Sequence, residues 1–274
     1  MHSTEFNGWL SQPGWGLIGF KTYLRSSEGG LSAGCANSGV GFATAKAIAS
    51  ASPDYLVIIG SRVLENGQAV VEEIQSLETT KGTLTSIQVD VTDRESIASA
   101  AKQVDSQFGR VDVLINNAGV LSKSPSTKLA MEETFAVNCI GPALVAEIFN
   151  PLLLKSDRPY SIFISSALGS LTEAADPTSP HSSYDGVPYR MSKAALNMLA
   201  VQQHKQFGPK GIKVFTLCPG LVRSNLRGKD ENAISSGGRA GDPMVSAQMI
   251  LGVMQGQRDG DVGKFLQEDS VCDW

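Results

Sequence analysis

The sequence predicts a doubly wound α/β domain, a parallel sheet with helices on both faces. Three observations point there. From residue 39 onward, short β-rich runs alternate with segments of helical period. The strand runs are continuously apolar, as strands buried on both faces must be. A glycine-rich turn opens the first helix. The expected strands are residues 55–59 (YLVII), 83–89, 111–115 (VDVLI), 161–165 (SIFIS) and 213–217 (KVFTL), with a short last one at 264–266. Between them, residues 40–51, 65–77, 95–108, 131–154 and 189–207 carry apolar residues at helical spacing. Pro142 and Pro151 fall inside the fourth of these helices, so it is expected to kink or end early. Residues 170–188 and 224–242 are polar and rich in Ser, Gly and Pro; loops of that length in a compact domain are disordered or functional.

Residues 1–33 stand apart from a catalytic domain assigned to residues 34–274. A doubly wound nucleotide fold needs an apolar strand leading directly into the glycine turn. The residues before Gly34 read SSEGGLSA, too polar and too glycine-rich for a central strand. The nearest apolar run, residues 16–24 (GLIGFKTYL), stands about ten residues too early.

Composition narrows the function classes. The 274 residues are 42% hydrophobic, enough to bury a full core, and the net charge of -4 lacks the basic excess that binds nucleic acid or anionic lipid. Cys35, Cys139, Cys218 and Cys272 are scattered without CxxC spacing, and His2, His181 and His204 lie far apart, so no metal site is expected. Reduced thiols, the lack of a secretory signal and the absence of an apolar run near the length of a membrane span suggest a cytoplasmic protein.

The glycine turn Gly34-Cys35-Ala36-Asn37-Ser38-Gly39-Val40-Gly41 leads into an Ala-rich helix, where free N–H groups and the helix dipole favour a phosphate. Taken alone, such a turn serves equally well as a plain connection. Further motifs follow in order: Asp90-Val91, INNAG at 115–119, VNCIGP around Asn138, ISSALG at 164–169, YRMSK at 189–193 and CPGLV at 218–222. Together with the turn they resemble the ordered motif series of the short-chain dehydrogenase/reductase family, over residues 36 to about 225. The resemblance implies a single Rossmann-type domain and a nicotinamide cofactor. It implies cofactor contacts from Gly34, Asn37, Ser38, Gly39, Val40 and Gly41 in the turn. Asp90 and Val91 would flank the adenine, and Asn117, Ala118 and Gly119 would lie beside the cofactor. Pro219, Gly220 and Val222 would sit near the nicotinamide. This chain departs from the family pattern at Cys35, where the family has glycine and where a side chain would crowd the turn. With the missing strand, this marks the sequence upstream of Ala36 as altered, through divergence or through an exon-boundary error.

Cofactor choice can be argued from charge. An NAD site places a carboxylate at the end of the second strand to bind the ribose hydroxyls. Here that position reads Ile59-Gly60-Ser61-Arg62, with no acid before Glu65. Ser61 and Arg62 suit the extra 2'-phosphate of NADP(H), so an NADPH preference is expected.

The catalytic step can be argued from acidity. A phenol with a pKa of about 10 is a poor proton carrier at neutral pH, and bringing it to about 7 requires roughly 4 kcal/mol. A cation about 4 Å away at an effective dielectric near ~20 supplies that much. Lys193 follows Tyr189 by four residues and shares its helix face, so it can be that cation. Tyr189 is therefore expected to act as general acid in carbonyl reduction, and as base in the reverse direction. The resemblance adds Lys193 as a holder of the nicotinamide ribose and places the catalytic serine at Ser166, three residues before Gly169, rather than at Ser165. Such a serine would polarise the carbonyl oxygen. Asn138 resembles the residue that holds a proton-relay water; its alternative is a helix-interior Asn making a local bond. The 23-residue step from Ser166 to Tyr189 resembles carbonyl-reductase-like members, with an insertion bordering the substrate entrance.

Two other readings compete with this one. Gly30-Leu31-Ser32-Ala33-Gly34 matches the GxSxG elbow of hydrolases, but RSSE ahead of it is no strand. A catalytically impaired NADP(H)-binding or interaction protein would keep the fold and lose the turn; Cys35 favours it, and the set Asn138, Ser166, Tyr189 and Lys193 opposes it. The tail DVGKFLQEDSVCDW (261–274) resembles those of fungal reductases of the family, some in secondary metabolism. The expected partners are a small carbonyl or alcohol substrate and, as the resemblance implies, a second or further copies in a dimer or tetramer.

Overall fold

In the computed structural model, which describes residues 15–21 and 39–274, strands and helices alternate along the chain. β1 (Trp15–Lys21) is followed by α1 (Val40–Ala51), β2 (Tyr55–Ser61), α2 (Leu64–Gln75), β3 (Thr83–Gln88), α3 (Arg94–Phe108) and β4 (Val113–Asn116). Next come α4 (Thr127–Phe135), a π-helical turn (Ala136–Ile140), α5 (Gly141–Leu153), β5 (Tyr160–Ile164), a 3-10 turn (Ala167–Gly169), α6 (Leu171–Ala175) and α7 (Val187–Phe207). The chain closes with β6 (Lys213–Cys218), α8 (Glu231–Ser235), α9 (Pro243–Met254), β7 (Phe265–Gln267) and β8 (Ser270–Cys272).

The strands form one sheet in the order β3-β2-β1-β4-β5-β6-β7-β8, parallel except for β8, which returns antiparallel on β7. Strand order reverses beside β1, and the crevice above the carboxyl ends of β1 and β4 is where this architecture binds ligands. β1 corrects one expectation. The apolar run that stands too early in sequence does fill the central position, pairing Trp15–Lys21 with Tyr55–Ser61 on one side and Leu17–Gly19 with Val113–Ile115 on the other.

Alternation along the buried strands serves two cores. In β4, Leu114 packs with Ile97, Phe149 and Leu196 from α3, α5 and α7. Val113 and Ile115 face the opposite side, with Ile48, Ile74 and Ile250 from α1, α2 and α9. The strand expected at 111–115 thus begins two residues later, and α9 was not foreseen at all.

The fourth expected helix does not end early at its prolines: it continues from Thr127 to Leu153 through a π-helical turn, with Pro151 inside it. The extra residue of the π turn separates α4 from α5, and Pro142 stands in the first turn of α5, where a missing N–H is tolerated. The stretch Thr127–Leu153 is, by length and composition alone, long and apolar enough to cross a membrane, which corrects the reading that no run approached that length. More than half of its apolar window is buried, as in the core helix of a globular domain. The loops at 170–188 and 224–242 are structured: they contain α6 and α8, and a bridge between Val222 and Gly241 closes the second.

Candidate active site

A cavity of about 710 Å³ opens at the carboxyl ends of the strands, bounded by the start of α1, the residues after β4 and β5, α7, and both long loops. Its floor depends on glycine. Gly39 caps α1 at φ 89°, in the left-handed region, and a Cβ there would stand 3.1 Å from the Ser224 Cβ. A Cβ on Gly41 would come within 2.5 Å of the Asn117 Nδ2. Gly39, Val40 and Gly41 thus form a close-approach surface at a helix N-terminus, adjoining Asn117 in the cavity lining. Gly34, Cys35, Ala36, Asn37 and Ser38 lie outside the described residues, as does the GxSxG match.

The reactive side chains come from α7. Its buried residues Tyr189, Ser192, Lys193, Leu196, Asn197 and Ala200 recur at three- and four-residue intervals, so one stripe anchors the helix to the sheet and delivers the phenol and amine to the cavity. Gly169 fixes the facing turn. A Cβ there would lie 2.7 Å from the Lys193 backbone carbon, so only glycine lets the turn after β5 rest on α7 at that point. The two serines ahead of it separate by role. Ser165 is buried, and its hydroxyl donates to the Asn197 Oδ1 at 2.5 Å, tying β5 to α7. Ser166 is half-buried in the cavity wall that it shares with Tyr189, and its Oγ accepts the Leu168 N–H at 3.2 Å.

The electrostatics differ from the expectation that Lys193 lowers the phenol. Tyr189 is 8% exposed, and burial pushes its pKa above the ordinary range; the Ser166 hydroxyl and the Arg227 charge oppose this only in part. Lys193, 4% exposed, is itself depressed by burial to about 8. Its Nζ donates to the Ile164 carbonyl at 2.8 Å and stands 5.7 Å from the Tyr189 ring centroid. Desolvation therefore outweighs charge pairing, and the phenol holds its proton firmly at neutral pH.

Asn138 lies fully buried in the π turn and makes long-range bonds. Its Oδ1 accepts from Val120 N at 2.8 Å, and its Nδ2 donates to Val120 O at 2.9 Å and to the Ser192 Oγ at 3.0 Å. It is not a helix-interior Asn with a local bond but a clamp between the segment after β4 and α7, and the π turn supplies the orientation.

Pro219, Gly220 and Val222 line the cavity, with Gly220 at φ 71°. Ala118 is buried beneath it. Ser61, Arg62, Asp90 and Val91 stand at and beyond the ends of β2 and β3, outside the cavity wall. The Ser61 hydroxyl donates to Val63 O at 2.7 Å, whereas the Arg62 guanidinium has no carboxylate partner among the described residues. Asp90 accepts from the Thr92 N–H and hydroxyl at 2.9 and 2.7 Å, and Val91 packs on Gly141. Three lining residues had not been singled out. Tyr184 and Arg227 sit in the two long loops; Cys218, read as a bland thiol, accepts N–H groups from Ala167 and Gly220 at 3.1 and 3.4 Å beside Lys193.

Comparison with known proteins agrees with this arrangement. Residues 33–234 match the family model described as short chain dehydrogenase. The short-chain dehydrogenase/reductase tropE of Talaromyces stipitatus is 35% identical over 252 residues, covering 85% of this chain and 92% of that protein. The short-chain dehydrogenase/reductase eupG of a Phoma species is 33% identical over 264 residues, covering 87% and 95%. Among solved structures, the NADPH-bound carbonyl reductase from chicken fatty liver superposes with a TM-score of 0.75 at 26% identity, covering 95% of this chain and 99% of that one. The chain belongs to the short-chain dehydrogenase/reductase family of oxidoreductases, which use nicotinamide cofactors on a single Rossmann-like α/β domain.

Proposed function

We propose that the protein is an NADP(H)-dependent reductase of a small carbonyl compound, with Tyr189 as general acid. The observation that carries this reading is the shared wall of Tyr189, Ser166 and Lys193, which brings a hydroxyl, a phenol and an amine to one cavity together with a glycine surface suited to a phosphate. A bound nicotinamide supplies the hydride. Ser166 orients and polarises the carbonyl oxygen. Tyr189 then delivers its proton to that oxygen as it gains alkoxide character; a phenol held protonated by burial is in the correct state for this direction. Lys193 would hold the nicotinamide ribose and, when charged, favour loss of the phenolic proton. Asn138 keeps the wall in place through Val120 and Ser192.

The residues present fit the cofactor. Gly41 lets the helix backbone approach the Asn117 amide as no side chain would, and Arg62, without a carboxylate partner among the described residues, stands at the position where an NAD site needs an acid. The reductase neighbour bound to NADPH supports the same choice. A dimer or tetramer formed through α4, the π turn, α5 and α7 fits the large apolar residues exposed along this stretch, Leu129, Ile140, Met191 and Met198.

The test is turnover of a simple aldehyde with each nicotinamide, beside fluorescence titration with NADPH. Faster turnover with NADPH than NADH is expected, and Tyr189→Phe should lose on the order of 10²–10⁴ in rate while binding NADPH nearly as well. Equal or better use of NADH rejects the cofactor assignment, and an active Tyr189→Phe rejects the acid. Binding without turnover in the unmodified protein would favour a non-catalytic role.

A further inference from the structure

The cavity is cationic in an acidic protein. Among the described residues its charged lining consists of Lys193, Arg227, Lys229 and Arg239, with no Asp or Glu, although the whole chain carries -4. Lys193 belongs to the catalytic wall, and Lys229 and Arg239 are exposed at the rim. Arg227 differs from both. It is half-buried in the loop between β6 and α9, and its guanidinium is fixed by three backbone carbonyls: Nε donates to Ala233 O at 3.1 Å, and Nη2 donates to Val222 O at 2.8 Å and Ile234 O at 2.9 Å. Those bonds leave Nη1, with two N–H groups, without a protein partner among the described residues. No carboxylate pairs with Arg227 among them either.

A half-buried guanidinium braced on one side, open on the other and without a counter-ion is a preorganised anion receptor. It shares the cavity wall with the catalytic phenol. It lines the same cavity as the phenols of Tyr189 and Tyr184, where a carbonyl substrate must sit, and its charge opposes the rise in their pKa. We propose that Arg227 selects the substrate: the enzyme reduces a carbonyl compound that also carries a carboxylate or an equally acidic oxygen, and this anion accepts hydrogen bonds from the open Nη1 edge. The proposal rests on the reductase reading and deepens it.

The test compares 4-carboxybenzaldehyde with its neutral methyl ester, methyl 4-formylbenzoate, as substrates of the NADPH-loaded enzyme. The unmodified protein should prefer the carboxylate, and added salt should reduce the preference. Arg227→Gln should cut the carboxylate-to-ester ratio of kcat/KM by roughly tenfold to a hundredfold, mainly through KM, with NADPH affinity unchanged. Arg227→Lys, which keeps the charge but not the planar fork, should recover part of the ratio. An unchanged ratio in Arg227→Gln overturns the proposal. So does a ratio lost equally in both variants together with a lowered Tm, which would make the arginine a loop brace alone, and so does weakened NADPH binding with the ratio intact. Calorimetric titration of both compounds reads the same ratio as dissociation constants. If neither aldehyde is turned over, the reductase reading fails, while the binding ratio still decides the anion site.

Discussion

Lys193 illustrates how burial and charge compete at a single side chain. An amine that is 4% exposed, with the Ile164 carbonyl as its one hydrogen-bond partner among the described residues, loses hydration that this bond does not fully replace, and its pKa falls to about 8. Tyr189 moves the opposite way for the same reason, well above its usual value, so it stays protonated through the working range. The alkaline limb of activity therefore belongs to the lysine. In kcat/KM for reduction, which titrates the free enzyme, a plateau is expected below about pH 8 and a decline above it as the amine loses its charge. Stability carries the matching sign. The folded pKa lies below the unfolded value of 10.5, so the burial penalty is complete below about 8 and is relieved as pH rises toward 10.5, by at most about 3 kcal/mol. Denaturant unfolding of the unmodified protein and of Lys193→Met at neutral pH and near pH ~10 should show the unmodified protein gaining on the variant. A constant gap would mean that the amine is not desolvated.

The elements that bear the site were legible where pattern and spacing coincide. α7 announces itself because the YxxxK spacing and the apolar stripe share one helical period, and β5 because the run Ile162-Phe163-Ile164 puts large apolar residues on both faces. α9 was missed because Ala247, Ile250, Leu251, Val253 and Met254 are all buried, which leaves little amphipathic signal to read. β8 offers only Ser-Val-Cys and exists because β7 pairs with it. Arg227 had no signal in sequence; only the carbonyls of Val222, Ala233 and Ile234 distinguish it from any loop arginine. Gly169 was legible as a motif letter, and its cause is the contact of the 3-10 turn with α7. The substitution Gly169→Ala inserts a methyl 2.7 Å from the Lys193 carbonyl carbon and 2.9 Å from the Ala194 nitrogen, backbone atoms that cannot yield without moving the turn or the helix. We expect it to separate Ser166 from Tyr189, lowering kcat at least tenfold and stability by about 1–3 kcal/mol. Steady-state kinetics and thermal melting measure both, and an active, fully stable variant would place the turn away from α7.

The sheet as a whole depends on a strand that local spacing argued against. Sequence logic demanded a first strand abutting the glycine turn, because a short βα connection is the common solution, and SSEGGLSA could not supply it. The requirement at the level of the whole sheet is different: something must satisfy the facing ladder edges of β2 and β4, since unpaired N–H and C=O groups in a buried sheet interior are costly. Trp15–Lys21 does so in register, with Ile18 opposite both Ile58 and Leu114. Proline tests this through the backbone alone. Ile18→Pro removes one N–H and imposes a ring in a strand bonded on both sides, which should cost on the order of 3 kcal/mol or more. Ile18→Val, which keeps the N–H, serves as the control. A large fall in Tm for the proline variant, with a melt near that of the unmodified protein for valine, is expected by circular dichroism. Equal melting of all three proteins would remove β1 from the sheet, and with it the strand whose carboxyl end forms one side of the ligand crevice.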